Sequence, residues 1–272
     1  MTAPPSGVGA ARLVARLRAA GCVFAEDEAA LLLAEGLPPD ALEERVRRRE
    51  AGEPLELVLG WAQFAGLRVG TAAGVFVPRR RSELLVREGL AALRAVPGRS
   101  DARVVVDLCC GTGAVGLAVA VGAAAEGVDV ALHAADADPL ATACAAHNLR
   151  GVPGARAHTG DLYAALPAAL RGRVHLLVVN APYVPTSRVA LMPPEARDHE
   201  PLTALDGGAD GLDVHRRVAA GARPWLARGG ALVLETSEPQ AEGTLAACRA
   251  GGLAAVAVHD DDLEASCVLA RA

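Results

Sequence analysis

Four consecutive residues, Asn180-Ala181-Pro182-Tyr183, stand directly after the mostly apolar run from Val174 to Val179. Their types suit one difficult piece of chemistry. The nitrogen of an amide, or of an amino group on a ring, is a poor nucleophile because its lone pair is delocalised. The side-chain oxygen of Asn180 and the backbone carbonyl of Ala181 can both accept N–H bonds from such a group. That would fix the nitrogen toward an electrophilic carbon and return electron density to it. Pro182 restricts the backbone and biases Ala181 away from helical geometry, and Tyr183 can pack against the planar group. The transfer would be a single in-line displacement, with no covalent intermediate on the protein. The plain alternative is that Asn180 caps a turn and Tyr183 fills the core, since asparagine and proline are common in loops.

A donor site is expected upstream. Val104-Val105-Val106-Asp107-Leu108-Cys109-Cys110-Gly111-Thr112-Gly113 reads as a strand followed by a tight turn and a helix start. Gly111 and Gly113 let the backbone approach a ligand, with Cys109 and Thr112 in the same turn. Asp107 is placed for a cationic or hydroxyl-bearing part of a cofactor. Asp136, with Ala137 beside it, ends the next strand and can accept from two ribose hydroxyls. Asp161 can accept from an adenine amino group while Leu162 covers a ring face. A glycine turn alone also fits NAD or a simple tight loop, and a lone Asp136 is as readily a surface cap. Three strand-end acids together suit S-adenosylmethionine better than a dinucleotide, whose diphosphate needs neutralising. The expected product is S-adenosylhomocysteine.

These residues need a sheet to hold them. From Arg103 onward, strands are expected at 104–108, 130–135, 155–158, 174–179 and 231–236. They alternate with helices near 114–125, 139–149, 213–226 and 239–250, and two final strands lie at 253–259 and 265–270. Asp138 followed by Pro139 is a good helix start. The layout implies a largely parallel sheet under helices with an antiparallel ending. Before it, three short amphipathic helices (Val8 to Ala20, Asp27 to Glu35, Asp40 to Arg49) predict a compact helical domain. A hairpin of Leu67 to Val69 with Gly74 to Val77 should link the two parts. Ser82 is read as the cap of a helix reaching Leu93, and Pro97-Gly98 as its breaker. The domain limits are 1–65 helical, 66–80 hairpin linker and 81–272 catalytic.

With 272 residues and 52% hydrophobic content the chain can bury one substantial core. A net charge of −5 offers no general cationic surface for nucleic acid, so no direct DNA binding is expected. All 27 basic residues are arginine. The six cysteines form no CxxC pair, which favours reduced, mostly buried thiols and a cytoplasmic protein. The N-terminus lacks the order of a secretory signal, and the Gly113 to Ala125 stretch is too short to span a membrane. The seven histidines suggest no metal site. Cys109 and Cys110 are read as small residues beside the turn, Arg79 to Arg81 as a solvated hinge face, and Glu235 as either site-lining or simply buried.

Taken together, these segments resemble the HemK/PrmC family of protein-(glutamine-N5) methyltransferases, over nearly the whole chain. The resemblance is carried by Glu53-Pro54-Leu55, Leu59-Gly60, Val75-Phe76-Val77-Pro78-Arg79 and Glu83-Leu84-Leu85-Val86. It continues through Asp107 to Gly113, Asp136, Asn148, Asp161 and Asn180 to Tyr183. The most specific later match is Glu200-Pro201-Leu202-Thr203-Ala204-Leu205 with Gly208 and Gly211-Leu212. The resemblance implies an α/β fold, a Rossmann-like class I methyltransferase sheet with a small N-terminal helical substrate-recognition domain joined by a β-hairpin linker. It further implies methylation of the Gly-Gly-Gln glutamine of peptide-chain release factors, and so a role in translation termination. Asn180 and the Ala181 carbonyl would bind the glutamine amide, with Pro182, Tyr183 and Pro78 shaping its pocket. Asp107, Gly111, Gly113, Asp136 and Asp161 would surround the cofactor. The protein is expected to act as a monomer. Ala181 replaces the first proline of the usual Asn-Pro-Pro-Tyr, so a less rigid loop is expected. Arg80-Arg81 replaces a usual proline-containing linker. Other readings of the same residues are transfer to another amide or a small molecule, DNA adenine-N6 methylation, and a non-catalytic cofactor-binding protein.

Overall fold

A computed structural model of the chain describes residues 7–96 and 102–272. The Pro97-Gly98 breaker lies outside the described residues. The first helices are α1 (Gly7–Ala19), α2 (Ala25–Ala34), α3 (Pro39–Glu50) and α4 (Leu55–Leu59). Their apolar faces meet in a small core of Leu13, Leu17, Leu32, Val46 and Val58. Pro39 occupies the first turn of α3, where its missing N–H has no partner to lose. Arg16 reaches from α1 to Glu43 and Glu50 on α3 at 2.7 and 2.8 Å. The short α4 had no sequence signal, being one turn between Pro54 and the left-handed Gly60.

The hairpin is displaced from its expected position. Leu67 to Val69 belongs to β2 (Leu67–Gly70), but its partner is the preceding β1 (Trp61–Phe64), not Gly74 to Val77. The turn is Ala65-Gly66, and both residues have positive φ (48° and 77°), as a two-residue hairpin turn requires. Phe64 and Val69 point inward from it and are fully buried. The Ala65 N–H donates to Glu83 at 2.9 Å, which fastens the hairpin tip to the helix that follows. Val77 donates its N–H to the Glu200 carboxylate at 3.2 Å rather than to a neighbouring strand.

The catalytic part runs α5 (Glu83–Arg94), β3 (Arg103–Leu108), α6 (Ala114–Ala125), β4 (Val130–Asp136), α7 (Pro139–Asn148), β5 (Arg156–Thr159) and β6 (Val174–Val179). It continues with three short helices, α8 (Thr186–Val189), α9 (Pro194–His199) and α10 (Leu202–Leu205). Then follow α11 (Asp213–Ala222), β7 (Leu226–Thr236), α12 (Ala241–Ala250), β8 (Ala254–Asp260) and β9 (Ala265–Arg271). The seven strands lie in the order β5-β4-β3-β6-β7-β9-β8. The first five are mutually parallel, and β9 runs antiparallel to both of its neighbours. This is the Rossmann-like class I methyltransferase sheet. Helices α5, α6 and α7 cover one face and α11 and α12 the other, giving two apolar layers. Chain order reverses between β3 and β6, and ligands of open α/β sheets bind beyond the strand ends at such a point.

Among the described residues no helix is long and apolar enough to cross a membrane. Asp138 does cap α7, its carboxylate accepting from the Leu140 N–H at 2.8 Å. Ser82 does not cap α5: it sits in helical backbone geometry and makes no capping bond. Its hydroxyl is committed elsewhere.

Candidate active site

Asp107 is the penultimate residue of β3 and only 2% exposed. One of its oxygens accepts the Gly116 N–H from the first turn of α6 at 2.8 Å. A Cβ on residue 116 would sit 2.9 Å from the Asp107 side chain, so glycine is needed for this approach. Burial raises the Asp107 carboxyl to about 8, the Gly116 bond opposes that rise, and the charge of Asp136 adds to it. No ion pair among the described residues reaches Asp107. It is a desolvated acid short of a positive partner.

Asp136 ends β4 and is held by the turn it faces. Its Oδ2 accepts from the Gly111 N–H at 2.9 Å and its Oδ1 from the Asp138 N–H at 3.0 Å. Each oxygen keeps a second lone pair for a hydroxyl. Desolvation raises this carboxyl as well, against those backbone bonds. In the turn, Cys109 (φ 58°) and Gly111 (φ 52°) are left-handed. For a side-chain-bearing residue that conformation is unfavourable by roughly 1–2 kcal/mol. Burial pushes the thiols of Cys109 and Cys110 upward, so both stay neutral. Gly113 does not face the cavity. It is left-handed at the start of α6, and a Cβ there would press on Ala145 at 3.1 Å. Its job is helix packing, a correction to its reading as a cofactor contact.

Asp161 takes a hydrogen bond from Arg217 of α11 at 2.5 Å. The expected adenine acceptor therefore already shares its charge with a cation that the sequence did not single out. Leu162 beside it is left-handed (φ 46°), which turns it toward the cavity wall.

The Asn180-Ala181-Pro182-Tyr183 loop leaves the end of β6. Asn180 Nδ2 donates to Ser82 Oγ at 3.1 Å, and no hydrogen bond among the described residues uses its Oδ1. Ala181 is 1% exposed. The loop is pinned along its backbone: Val184 N–H donates to the Leu205 carbonyl at 2.9 Å, and Gly207 N–H to the Val184 carbonyl at 2.9 Å. Gln240 Nε2 holds the Tyr183 carbonyl at 2.8 Å. A Cβ on residue 207 would fall 2.8 Å from the Pro182 carbonyl, and one on residue 211 would fall 2.2 Å from that of Tyr183. These glycines let a second strand of backbone lie against the loop. The loss of a proline at position 181 is thus met by pairing, and the expected looseness is not seen. Tyr183 donates its hydroxyl to Glu235 at 3.2 Å, and its ring is tilted against His215.

The arginine triplet is not a solvated face. Arg79 donates to the fully buried Glu200 at 2.6 Å. Arg81 lies 3.5 Å from Glu235 and over the Tyr183 ring. Glu200 and Glu235 each retain one buried oxygen without a partner.

A single cavity of about 290 Å³ brings together Pro78, Asp107, Cys109, Gly111, Thr112, Asp136, Ala137, Asp161, Leu162 and Asn180 to Tyr183. Arg79, Arg81, Ser82, Glu200 and Arg217 also line it. Ser82 and Arg217 were missed because a lone serine before a helix reads as a cap and an arginine on a helix reads as surface. Asn148 lies outside it. Its amide accepts from Gly70 N–H at 2.9 Å and donates to the Gly70 and Thr112 carbonyls at 2.9 and 2.8 Å, tying the hairpin to the cofactor turn. Among the described residues no cluster of histidine, cysteine, aspartate or glutamate could hold a metal. The unpaired Asp107, the half-satisfied Asp136 and the glycine-lined turn fit S-adenosylmethionine, which carries both a cationic portion and a ribose.

No family model matches the chain. A release factor glutamine methyltransferase of Rhodospirillum rubrum is 35% identical over 98% of this chain and 80% of its own length. A 4-amino-L-phenylalanine/4-methylamino-L-phenylalanine methyltransferase of Streptomyces pristinaespiralis is 40% identical over 89% of this chain and 81% of its own. Among solved structures, a ribosomal protein L11 methylase of Lactobacillus delbrueckii subsp. bulgaricus aligns with a TM-score of 0.49. That match has 12% identity and covers 71% of this chain and 79% of that one.

Proposed function

The chain belongs to the release factor glutamine methyltransferase family, and from that premise we propose that it methylates N5 of a protein glutamine, the one in the Gly-Gly-Gln motif of a peptide-chain release factor. The observation that carries this reading is the free Oδ1 of Asn180 at the end of β6, in the same cavity as Asp107 and Asp136. S-adenosylmethionine supplies an electrophilic methyl on a sulfonium. Asp107 holds its cationic portion, Asp136 its ribose hydroxyls, and Asp161 with Leu162 the adenine. Asn180 Oδ1 and the Ala181 carbonyl accept the two N–H bonds of the glutamine amide. That orientation aims the nitrogen lone pair at the methyl and concentrates density on it. Pro182 and Tyr183 wall the acceptor channel, and Pro78 sits at its mouth. The helical part, α1 to α4, contacts the release factor, and the enzyme works as a monomer.

A second reading keeps the chemistry and changes the acceptor to the ring amino group of a free amino acid. The Streptomyces pristinaespiralis relative favours it, since an arylamine nitrogen poses the same electronic problem. Labelled S-adenosylmethionine offered with a release factor, and separately with 4-aminophenylalanine, distinguishes the two. Label mapped to the Gly-Gly-Gln glutamine supports the first reading. Label on the aromatic amine alone replaces it with the second.

A further inference from the structure

The proposed reaction needs Asn180 to present its oxygen, not its NH2, to the acceptor nitrogen. An amide side chain rotated by half a turn has nearly the same shape and would present donors to a donor. Something must choose. In this structure Asn180 Nδ2 lies 3.1 Å from Ser82 Oγ. Ser82 is buried, and it precedes α5 without capping it. Having accepted from Asn180, its hydroxyl has one proton to give. The acid facing it is Glu235 of β7, whose Oε1 accepts from Tyr183 and whose Oε2 has no other partner. A carboxylate is acceptor-only. It therefore draws the Ser82 proton toward itself, leaves the Ser82 lone pair for Asn180, and turns Asn180 Oδ1 outward.

We infer that Ser82 and Glu235 are positioning residues that set the donor–acceptor polarity of Asn180. The chain of bonds runs Asn180 to Ser82 to Glu235, and it is buried among residues of α5, β6 and β7. Arg81 at 3.5 Å holds a positive charge beside Glu235, which favours its ionised, acceptor-only form. The inference rests on the proposed methyl transfer for its purpose, but the orientation itself is a property of the free protein.

The test has two arms for that reason. In the first, the side-chain amide of Asn180 is followed by NMR, its signals identified by their loss in Asn180→Asp. Parent and Ser82→Thr should show two distinct Nδ2 protons with slow rotation, and Ser82→Ala should show faster rotation and exchange. In the second, methyl transfer is measured with the acceptor that the parent accepts. Ser82→Ala should lower kcat by about 10–100-fold, and Glu235→Gln by about 5–10-fold. The Kd for S-adenosylmethionine and the melting temperature should stay near parent values. Ser82→Thr should return kcat to within about threefold of parent. Unchanged amide dynamics in Ser82→Ala would overturn the inference, as would a parent-like kcat in that variant. If the parent methylates neither acceptor, the proposed function fails while the NMR arm still decides the orientation.

Discussion

At the donor end of the cavity, Asp107 and Asp136 are fixed by peptide N–H groups from residues 9 and 25 positions away. At the acceptor end, Asn180 and Tyr183 lean on Ser82, Glu235 and Gln240, at separations of 98, 52 and 57. One end is backbone cradling within neighbouring β–α units. The other is a convergence of side chains from across the fold. Backbone cradles tolerate side-chain change around them, whereas a side-chain convergence depends on each member, so the two ends should fail differently.

The widest separation between them is expected from Asn180→Ala. Turnover should fall by about 100-fold or more while S-adenosylmethionine affinity stays within a factor of about two. Parent-like turnover would break the comparison outright. Asp107→Asn should do the reverse, weakening cofactor binding by about 10–100-fold, the range of a hydrogen bond to a charged partner.

The pH dependence sharpens the same contrast. Below about 8 the free protein holds Asp107 protonated, and a cationic ligand requires it ionised. Affinity measured by calorimetry should therefore drop as pH falls below about 8, by up to about tenfold per unit, and level off above it. The slope should vanish in Asp107→Asn. Without ligand the sign reverses. The folded carboxyl titrates above its unfolded value of about 3.9, so this group opposes folding increasingly as pH rises from about 4 to about 8. The Asn variant should then melt higher than parent at neutral pH.

Smaller effects concern the backing of the loop. Gly211→Ala forces a side chain onto a left-handed residue and against the Tyr183 carbonyl. It should reduce stability by about 1–3 kcal/mol and turnover by about tenfold, read by denaturant melts and steady-state rates. The least change is expected from Ala181→Pro, which introduces the usual family residue. With the loop already paired at Val184 and Gly207, turnover should stay within about twofold and stability within about 1 kcal/mol.

The donor end was legible because its parts are nearly contiguous. A strand, a glycine turn and strand-end acids state their own geometry, and each of those acids does face the cavity. The order of the central strands followed from the same alternation. The acceptor end was legible only as a tetrapeptide. Its oxygen-out orientation depends on Ser82, whose position before a helix suggests a cap, and on Glu235, whose strand context suggests mere burial. The hairpin was misplaced because Ala65, a non-glycine residue, takes the left-handed turn position. Arg79 and Arg81 looked solvated since their partners, Glu200 and Glu235, are distant in sequence. Gly207 and Gly211 carried a family likeness, but only close backbone approach shows what they are for.

Asn148 joins the two parts of the chain through one carboxamide. Because that group grips both carbonyls of Gly70 and Thr112 and the Gly70 N–H, the hairpin and the cofactor turn share a fastening. Aspartate would lose both donated bonds, and glutamine would overshoot by a methylene. Thermodynamic reciprocity then makes a prediction in the language of linkage: whatever steadies the turn steadies the hairpin, and the converse holds with equal free energy. The Gly70 amide is where this would register, as slower hydrogen exchange when S-adenosylmethionine is added. An exchange rate indifferent to the cofactor would mean that the two parts of the chain keep separate accounts of their motion.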